Sequence, residues 1–338
     1  MSKQLRTHTE PEIKNVTHMR IKSMKKFFLT TLTLTSLAIA LTFAFPVKKT
    51  ASAAAASAAS ATLQSSLPFT AAIYYIDNAN GFFVLSPGTT SFRRVNTISN
   101  IGNAQITNVD FRVADGQLYA LADNGRIYTI NLTNAQATLI STMNPRFAGG
   151  VQSLLDFNPV VNAIRLQGSN DQNYAVVNNN GNLNQTAVQT KLAYAAGDRF
   201  SGTDPNIIGG AYTNNFVGAA NTIFYAFDYF TNNFVTIAPP LTATGSSNTG
   251  GGQLQSIGLV FDQNGRQINF RATSDMDIVT LQKQVNIGVF YSGSTIYAIF
   301  LSQINRGLPV GQSQNLGAAG VTVGGFSNAI DIAVTPLP

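Results

Sequence analysis

The strongest constraint on this chain is a repeat of short strands whose two ends complete each other. From about residue 68, short runs rich in Val, Ile, Phe, Tyr and Thr alternate with Asn, Asp and Gly clusters, the pattern of strands joined by tight turns. One unit spans residues 106–140 and a second 151–185. A third covers 207–237, with 253–261 as its outermost strand. A fourth, less regular, runs from about Gln267 to Gln312. The chain closes on AIDIAV at 329–334, which reads like the first strand of a unit, as in NVDFRV at 108–113. The strand region begins with AAIYYIDNANGFFVL at 71–85, which reads like the second and third strands. The two ends therefore make one composite unit. Four-stranded sheets closed into a ring hide their edges, which is what a β-propeller needs. The expected fold is all-β: a five-bladed propeller closed by the C-terminal strand joining the N-terminal blade. Six blades would result if 253–284 formed a blade of its own. A two-sheet sandwich is the rival, but it would not need the last strand to echo the first strand of each unit.

Turn chemistry agrees. Asn80-Gly81, Asn124-Gly125, Asn180-Gly181 and Asn264-Gly265 suit the positive φ angles of two-residue hairpins. After residue 70 no stretch sustains a helical period with caps.

Residues 1–50 form a separate region, read as a leader. Lys22, Lys25 and Lys26 precede the apolar run FFLTTLTLTSLAIALTFAF at 27–45, and the small-residue triplet Ala51-Ser52-Ala53 follows Pro46. That order fits an export signal. The run also has the length of a membrane span, so a retained anchor through residues 27–45 is the alternative to cleavage. Residues 51–67, rich in Ala and Ser, read as a linker, and residues 68–338 as the propeller domain. The formal charge of +6 belongs to the leader. Beyond residue 50 the chain has twelve basic residues against thirteen aspartates, which gives no basic face for nucleic acid.

From Pro46 onward the chain contains no histidine, cysteine, glutamate or tryptophan; His8, His18, Glu10 and Glu12 all precede the apolar run. This removes imidazole bases, thiolate nucleophiles, histidine and cysteine metal sites, and a Ser-His-Asp triad. No GxSxG, HExxH, P-loop or dinucleotide fingerprint is present.

Several segments resemble one family of exported bacterial and archaeal proteins, the domain-of-unknown-function family numbered 4394. They are VDFRVADGQLYAL at 109–121, GRIYTINLTNAQAT at 125–138, DFNPVVNAIRL at 156–166, Gln172-Asn173, AYTNN at 211–215, NTIFYAFD at 221–228, Pro239-Pro240 and the closing AIDIAV. Val113 stands where the family usually has proline, Asn162 where it has an acidic residue, and Ala163 where arginine is common. An acidic site built on that loop would be weakened here. The resemblance implies a secreted, propeller-like domain and attaches no reaction to it.

Candidate binding residues come from these segments. Asp110, Asp156 and Asp331 occupy matching places in three units. They read either as a ring of carboxylates near the propeller axis, of the kind a glycoside hydrolase needs, or as acceptors for main-chain N–H groups of their own turns. The second reading is preferred, because catalysis needs asymmetric roles and these aspartates recur. Arg112, Arg165 and Tyr212 accompany them, with Asn158 and Asn214 in the same segments. The arginines are expected to pair with the neighbouring aspartates and lock adjacent blades. Asp77-Asn78-Ala79-Asn80-Gly81 and Asp275-Met276-Asp277 offer oxygen ligands, but neither carries the EF-hand pattern. No metal, cofactor or catalytic residue is expected. The functional expectation is an exported, non-enzymatic propeller, extracellular, periplasmic or at the cell surface, that acts as a binding or cell-surface structural module; its ligand is left open, with a glycan or a cell-surface protein as the classes considered. An aspartate-dependent carbohydrate-active enzyme is the first alternative, and a self-assembling surface-layer or filament protein the second.

Overall fold

A computed structural model describes residues 67, 70–150, 152–179, 182–237, 249–309 and 311–336. The leader, nearly all of the linker, Pro239-Pro240 and the Asn180-Gly181 turn lie outside these. Among the described residues no helix is long and apolar enough to cross a membrane.

The described chain is an antiparallel β ring. The first blade supplies β1 (Ile73–Asp77), β2 (Gly81–Leu85) and β3 (Arg93–Thr97). The second is β4 (Ile106–Arg112), β5 (Gln117–Ala122), β6 (Arg126–Ile130) and β7 (Ala137–Thr142). The third is β8 (Ser153–Asn158), β9 (Ala163–Gly168), β10 (Asn173–Asn179) and β11 (Asn182–Val188). After the short β12 (Ala193–Tyr194), the fourth blade is β13 (Ile207–Tyr212), β14 (Phe224–Asp228), β15 (Asn233–Ile237) and β16 (Gln253–Phe261). The fifth contains β17 (Met276–Leu281), β18 (Val285–Ser292) and β19 (Thr295–Phe300); β20 (Gln314–Gly317), β21 (Ala319–Thr322) and β22 (Ala329–Val334) follow.

The C-terminal β22 pairs antiparallel with β1, with Ile73 opposite Val334 and Tyr75 opposite Ile332, so the two ends share one blade. The innermost strands pack in the order β22, β4, β8, β13, β17 and back to β22. The five-bladed expectation holds. The six-bladed variant fails because 253–261 is the outer strand of the fourth blade and 276–281 the inner strand of the fifth. Two features differ from the sequence reading. The outer strand of the fifth blade is β21, beyond Gln312. The fourth blade also gains two parallel strands, β12 and β20, on either part of the long β16.

The turns differ too. Each Asn-Gly pair in the described region puts only one residue at positive φ: Asn80, Gly125 and Gly265. The loops between β1 and β2 and between β5 and β6 are therefore three residues long, the length that pairs a type I turn with one left-handed residue.

Burial explains why the inner strands do not alternate. β4, β8, β13 and β22 are buried along their whole length, because each is covered on both faces by neighbouring blades. The apolar side chains form five clusters, each between two successive blades. Phe227 of the fourth blade stacks on Phe270 at 3.9 Å and meets Phe290 of the fifth edge-on at 4.9 Å. Stability thus lives between blades, and ring closure is part of it. Truncation after Asn328 is expected to expose the β1 edge and cost at least about 5 kcal/mol, the scale of a whole domain's stability. Loss of the cooperative melt in circular dichroism, with aggregation on gel filtration, would show this; a wild-type melt would contradict it.

Candidate functional site

The innermost strand of each blade has a partner on one side only. The N–H groups of its other edge point towards the axis, where burial demands an acceptor. The sequence supplies aspartates. Asp110 on β4 takes the Phe157 N–H of β8 on Oδ2 at 2.8 Å and its own neighbour Phe111 on Oδ1 at 2.6 Å. Asp156 on β8 takes the Tyr212 N–H of β13 at 3.0 Å. Asp277 on β17 takes the Val334 N–H of β22 at 2.6 Å and Ile278 at 2.5 Å. Asp275, just before β17, takes the Ile332 N–H at 3.0 Å. Asp331 on β22 accepts from the Asn108 side chain of β4 at 2.8 Å and from the Val109 main chain. Asn108 also donates to the Ser153 carbonyl at 3.0 Å, tying in the third blade. The carboxylates therefore lace inner strands to one another at four of the five junctions, rather than to their own turns.

The fourth blade breaks the pattern. β13 carries Gly209 and Gly210 in place of an acid. A Cβ at Gly209 would come within 2.6 Å of the Asp275 Cα and 2.8 Å of its carboxylate. The fifth blade's Asp275 leans on this bare strand. A Gly pair inside a strand signals close approach of another backbone, and that signal in IIGGAY was available in the sequence. Asp275 and Asp277 were legible only as oxygen ligands, not as members of the axial set.

The five aspartates are between 1% and 4% exposed. One oxygen each of Asp110, Asp156 and Asp277 lies within 4.8 Å of the other two. Burial is the largest force raising their proton affinity. It pushes Asp275 and Asp277 up to about 7. Asp110, Asp156 and Asp331 also rise well above the ordinary range, with repulsion from Asp277, Asp110 and Asp275 respectively adding to the effect. The main-chain N–H bonds oppose the rise.

The arginines do not join them. Arg112 pairs with Asp115 at 2.9 Å, the only ion pair among the described residues. It also donates to Tyr119 and to Asn162 of the next blade. Arg165 donates to the Tyr212 hydroxyl at 3.3 Å, to Asn173 and the Tyr174 carbonyl, and to Gln189. The expected pairing with Asp110 and Asp156 is thus corrected. The guanidinium groups fasten blades, but through amide, phenol and carbonyl oxygens away from the axis. Asn158 accepts from Val160 and Val161 and shapes the β8–β9 turn. Asn214, at φ 58, exchanges hydrogen bonds with Asn286 of the fifth blade. The Asp77 carboxylate caps its own hairpin through Ala79 and Gly81. On the second blade an open groove of about 440 Å³, lined by residues such as Gln117, Thr129, Asn131 and Thr133, holds neither charge nor aromatic ring.

A family described as "Domain of unknown function (DUF4394)" matches residues 81–333. No curated protein matches the chain. Among solved structures, the Dos1 propeller is similar over 65% of this chain and 51% of its own, at 12% identity and TM-score 0.34. The chain thus spans about half of that structure. A nidogen/laminin complex is similar over 78% of this chain and 98% of its own, at 11% identity and TM-score 0.38. The Malassezia sympodialis allergen Mala s 1 covers 73% of each chain at 9% identity and TM-score 0.40.

Two outcomes are expected of the axis. Gly209→Ala should cost about 1–3 kcal/mol, the usual range for overpacking, read as a lower denaturant midpoint; an unchanged midpoint would contradict the close approach. The raised carboxyls also set a pH slope. Between 3.8 and about 7 the unfolded chain has released the Asp275 and Asp277 protons while the folded chain keeps them. The folded state binds more protons there, so stability falls as pH rises through that window. The melting temperature should be higher at pH 5 than at pH 8; the reverse order would contradict the burial argument.

Proposed function

The chain belongs to the DUF4394 family of domains of unknown function, and from there we propose that it is an exported, non-enzymatic β-propeller that binds at the cell surface. One observation carries the non-enzymatic part. The convergent carboxylates are sealed at 1% to 4% exposure, and every one of them accepts a main-chain N–H from the next blade or lies against one. A glycosidase needs two carboxyl groups that flank a substrate bond, and a glycan cannot reach these. The carbohydrate-enzyme alternative therefore has no observation in its favour.

The binding part is supported by the turns that follow the inner strands. Val160 and Val161 in the β8–β9 turn and Val217 in the β13–β14 connection are 42%, 63% and 66% exposed. They stand among uncharged Asn side chains at the same end of neighbouring blades. Loops on a rigid scaffold commonly carry recognition. Export is supported by the lysines and apolar run of the leader. The reading expects the purified chain to turn over no member of a glycan panel and to be retained on intact cells of the producing organism. The double variant Val161→Asp/Val217→Asp should weaken that retention about tenfold, on the scale of losing ~1.4 kcal/mol of contact, with an unchanged melting temperature. Glycan hydrolysis that disappears in a folded Asp156→Asn variant would overturn the non-enzymatic reading; retention unaffected by the valine changes would overturn the binding face.

A further inference from the structure

The chain carries three Asn-x-Ser/Thr triplets: Asn15-Val16-Thr17, Asn131-Leu132-Thr133 and Asn184-Gln185-Thr186. This is the acceptor sequence for N-linked glycans, provided the middle residue is not proline. The transferring enzyme handles both the asparagine amide and the hydroxyl two residues on, so both must be within its reach. The three triplets differ on that ground. Asn15 precedes the apolar run at 27–45, on the side that stays within the cell when the chain is exported. Asn184 lies in β11, held in the ladder with β10. Its side chain is exposed, but the Thr186 hydroxyl oxygen is buried and out of reach.

Asn131 is placed differently. It opens the loop between β6 and β7, which is closed by the Asn131 N–H on the Gln136 carbonyl at 2.9 Å and the Ala135 N–H on the Asn131 carbonyl at 2.8 Å. The Asn131 Oδ1 accepts the N–H groups of Thr133 at 2.9 Å and Asn134 at 3.3 Å, an Asx turn. That turn engages the oxygen of the carboxamide, while Nδ2 donates to none of the described residues. Asn131 and Thr133 are exposed, and Leu132 between them is half-buried against the second blade's apolar cluster. The middle residue thus anchors the triplet and its two reactive neighbours stay in solvent. Independently of the triplet, the open groove of about 440 Å³ on this blade is lined by Asn131 and Thr133 together with Gln117, Thr129 and Thr138. Its volume falls within the ~300–1,000 Å³ of ligand clefts. Hydroxyl and carboxamide groups beside Leu118 and Ile130, with no charge, suit the hydroxyls and C–H faces of a neutral sugar.

We propose that Asn131 is the acceptor of an N-linked glycan on the exported chain, and that the first sugar rests in this groove. The inference rests on the export reading, because the transfer takes place beyond the membrane. The donor is a polyprenyl-phosphate-linked oligosaccharide. Asn131 Nδ2 forms a bond to the anomeric carbon of the donor, and the bond from that carbon to the phosphate oxygen breaks. The lipid phosphate leaves with the electron pair, and one Nδ2 proton passes to a base of the transferase. The glycan then stands beside β7, the edge strand of its blade, and screens the exposed Leu139 and Ile140 from pairing with other chains.

The test has two arms. In the first, the folded full chain, purified in mild detergent, is incubated with a single-subunit oligosaccharyltransferase of Asn-x-Ser/Thr specificity and a polyprenyl-linked oligosaccharide. Intact-mass spectrometry should show a single glycan increment, mapped to Asn131 after proteolysis. Thr133→Ala should lose the increment with an unchanged melting temperature, because only the main chain of Thr133 bonds within the turn. Thr133→Ser should keep it, and so should Asn184→Gln. In the second arm, the chain is recovered from fractionated cells of the producing organism. Recovery beyond the membrane with a glycan on Asn131 supports the inference. No transfer to the folded chain, transfer that survives Thr133→Ala, or a bare Asn131 on chain recovered beyond the membrane would overturn it and leave export standing. Chain confined to the cytoplasm would overturn the export reading, and the modification with it.

Discussion

The structure depends on how the inner edges of its innermost strands are satisfied. A propeller places five such edges around one axis, close together but not in ladder register. Their N–H groups are buried and have no strand to bond to. Aspartate solves this because its short side chain reaches across to the next blade and offers two acceptor oxygens. Asp110 to Phe157, Asp156 to Tyr212, Asp275 to Ile332 and Asp277 to Val334 are all this one interaction. The aromatic and aliphatic clusters between blades supply most of the burial, but the axial carboxylates set how the blades meet.

That solution has consequences for chemistry. An acid ring at the centre of a propeller resembles a catalytic site when seen in sequence. Buried and engaged with the main chain, it acts as a fastening. The same burial makes the carboxyls poor anions, and it leaves Asp331 Oδ1 and the Tyr291 hydroxyl without partners. The N–H bonds hold the carboxylates in place.

Much of this fold was legible because the inner and middle strands are buried and so carry dense apolar and aromatic runs. The echo between AIDIAV and NVDFRV revealed the closure of the ring. The outer strands were harder to read. β21 consists of AGVT, too short and small to stand out, so the sequence reading ends that unit at Gln312, short of its outer strand. β12 and β20 pair in parallel with a distant strand, which no local pattern encodes. At the axis, Asp110, Asp156 and Asp331 were recognised from their recurrence. Asp275 and Asp277 were read only as a pair of oxygen ligands, not as members of that recurrence. The arginine pairing failed for a physical reason: the carboxylates face main-chain donors inside the ring, while Arg112 and Arg165 find Asp115, Asn162, Asn173 and Tyr212 outside it.

Residue-resolved amide hydrogen exchange tests the central claim most directly. If the aspartates fasten the blades, the amides of Phe157, Tyr212, Ile332 and Val334 are protected as strongly as the β-ladder amides beside them and exchange only through global opening. Exchange of these four at the rates of unpaired, solvent-reached amides, in a chain whose ladders stay protected, would contradict it.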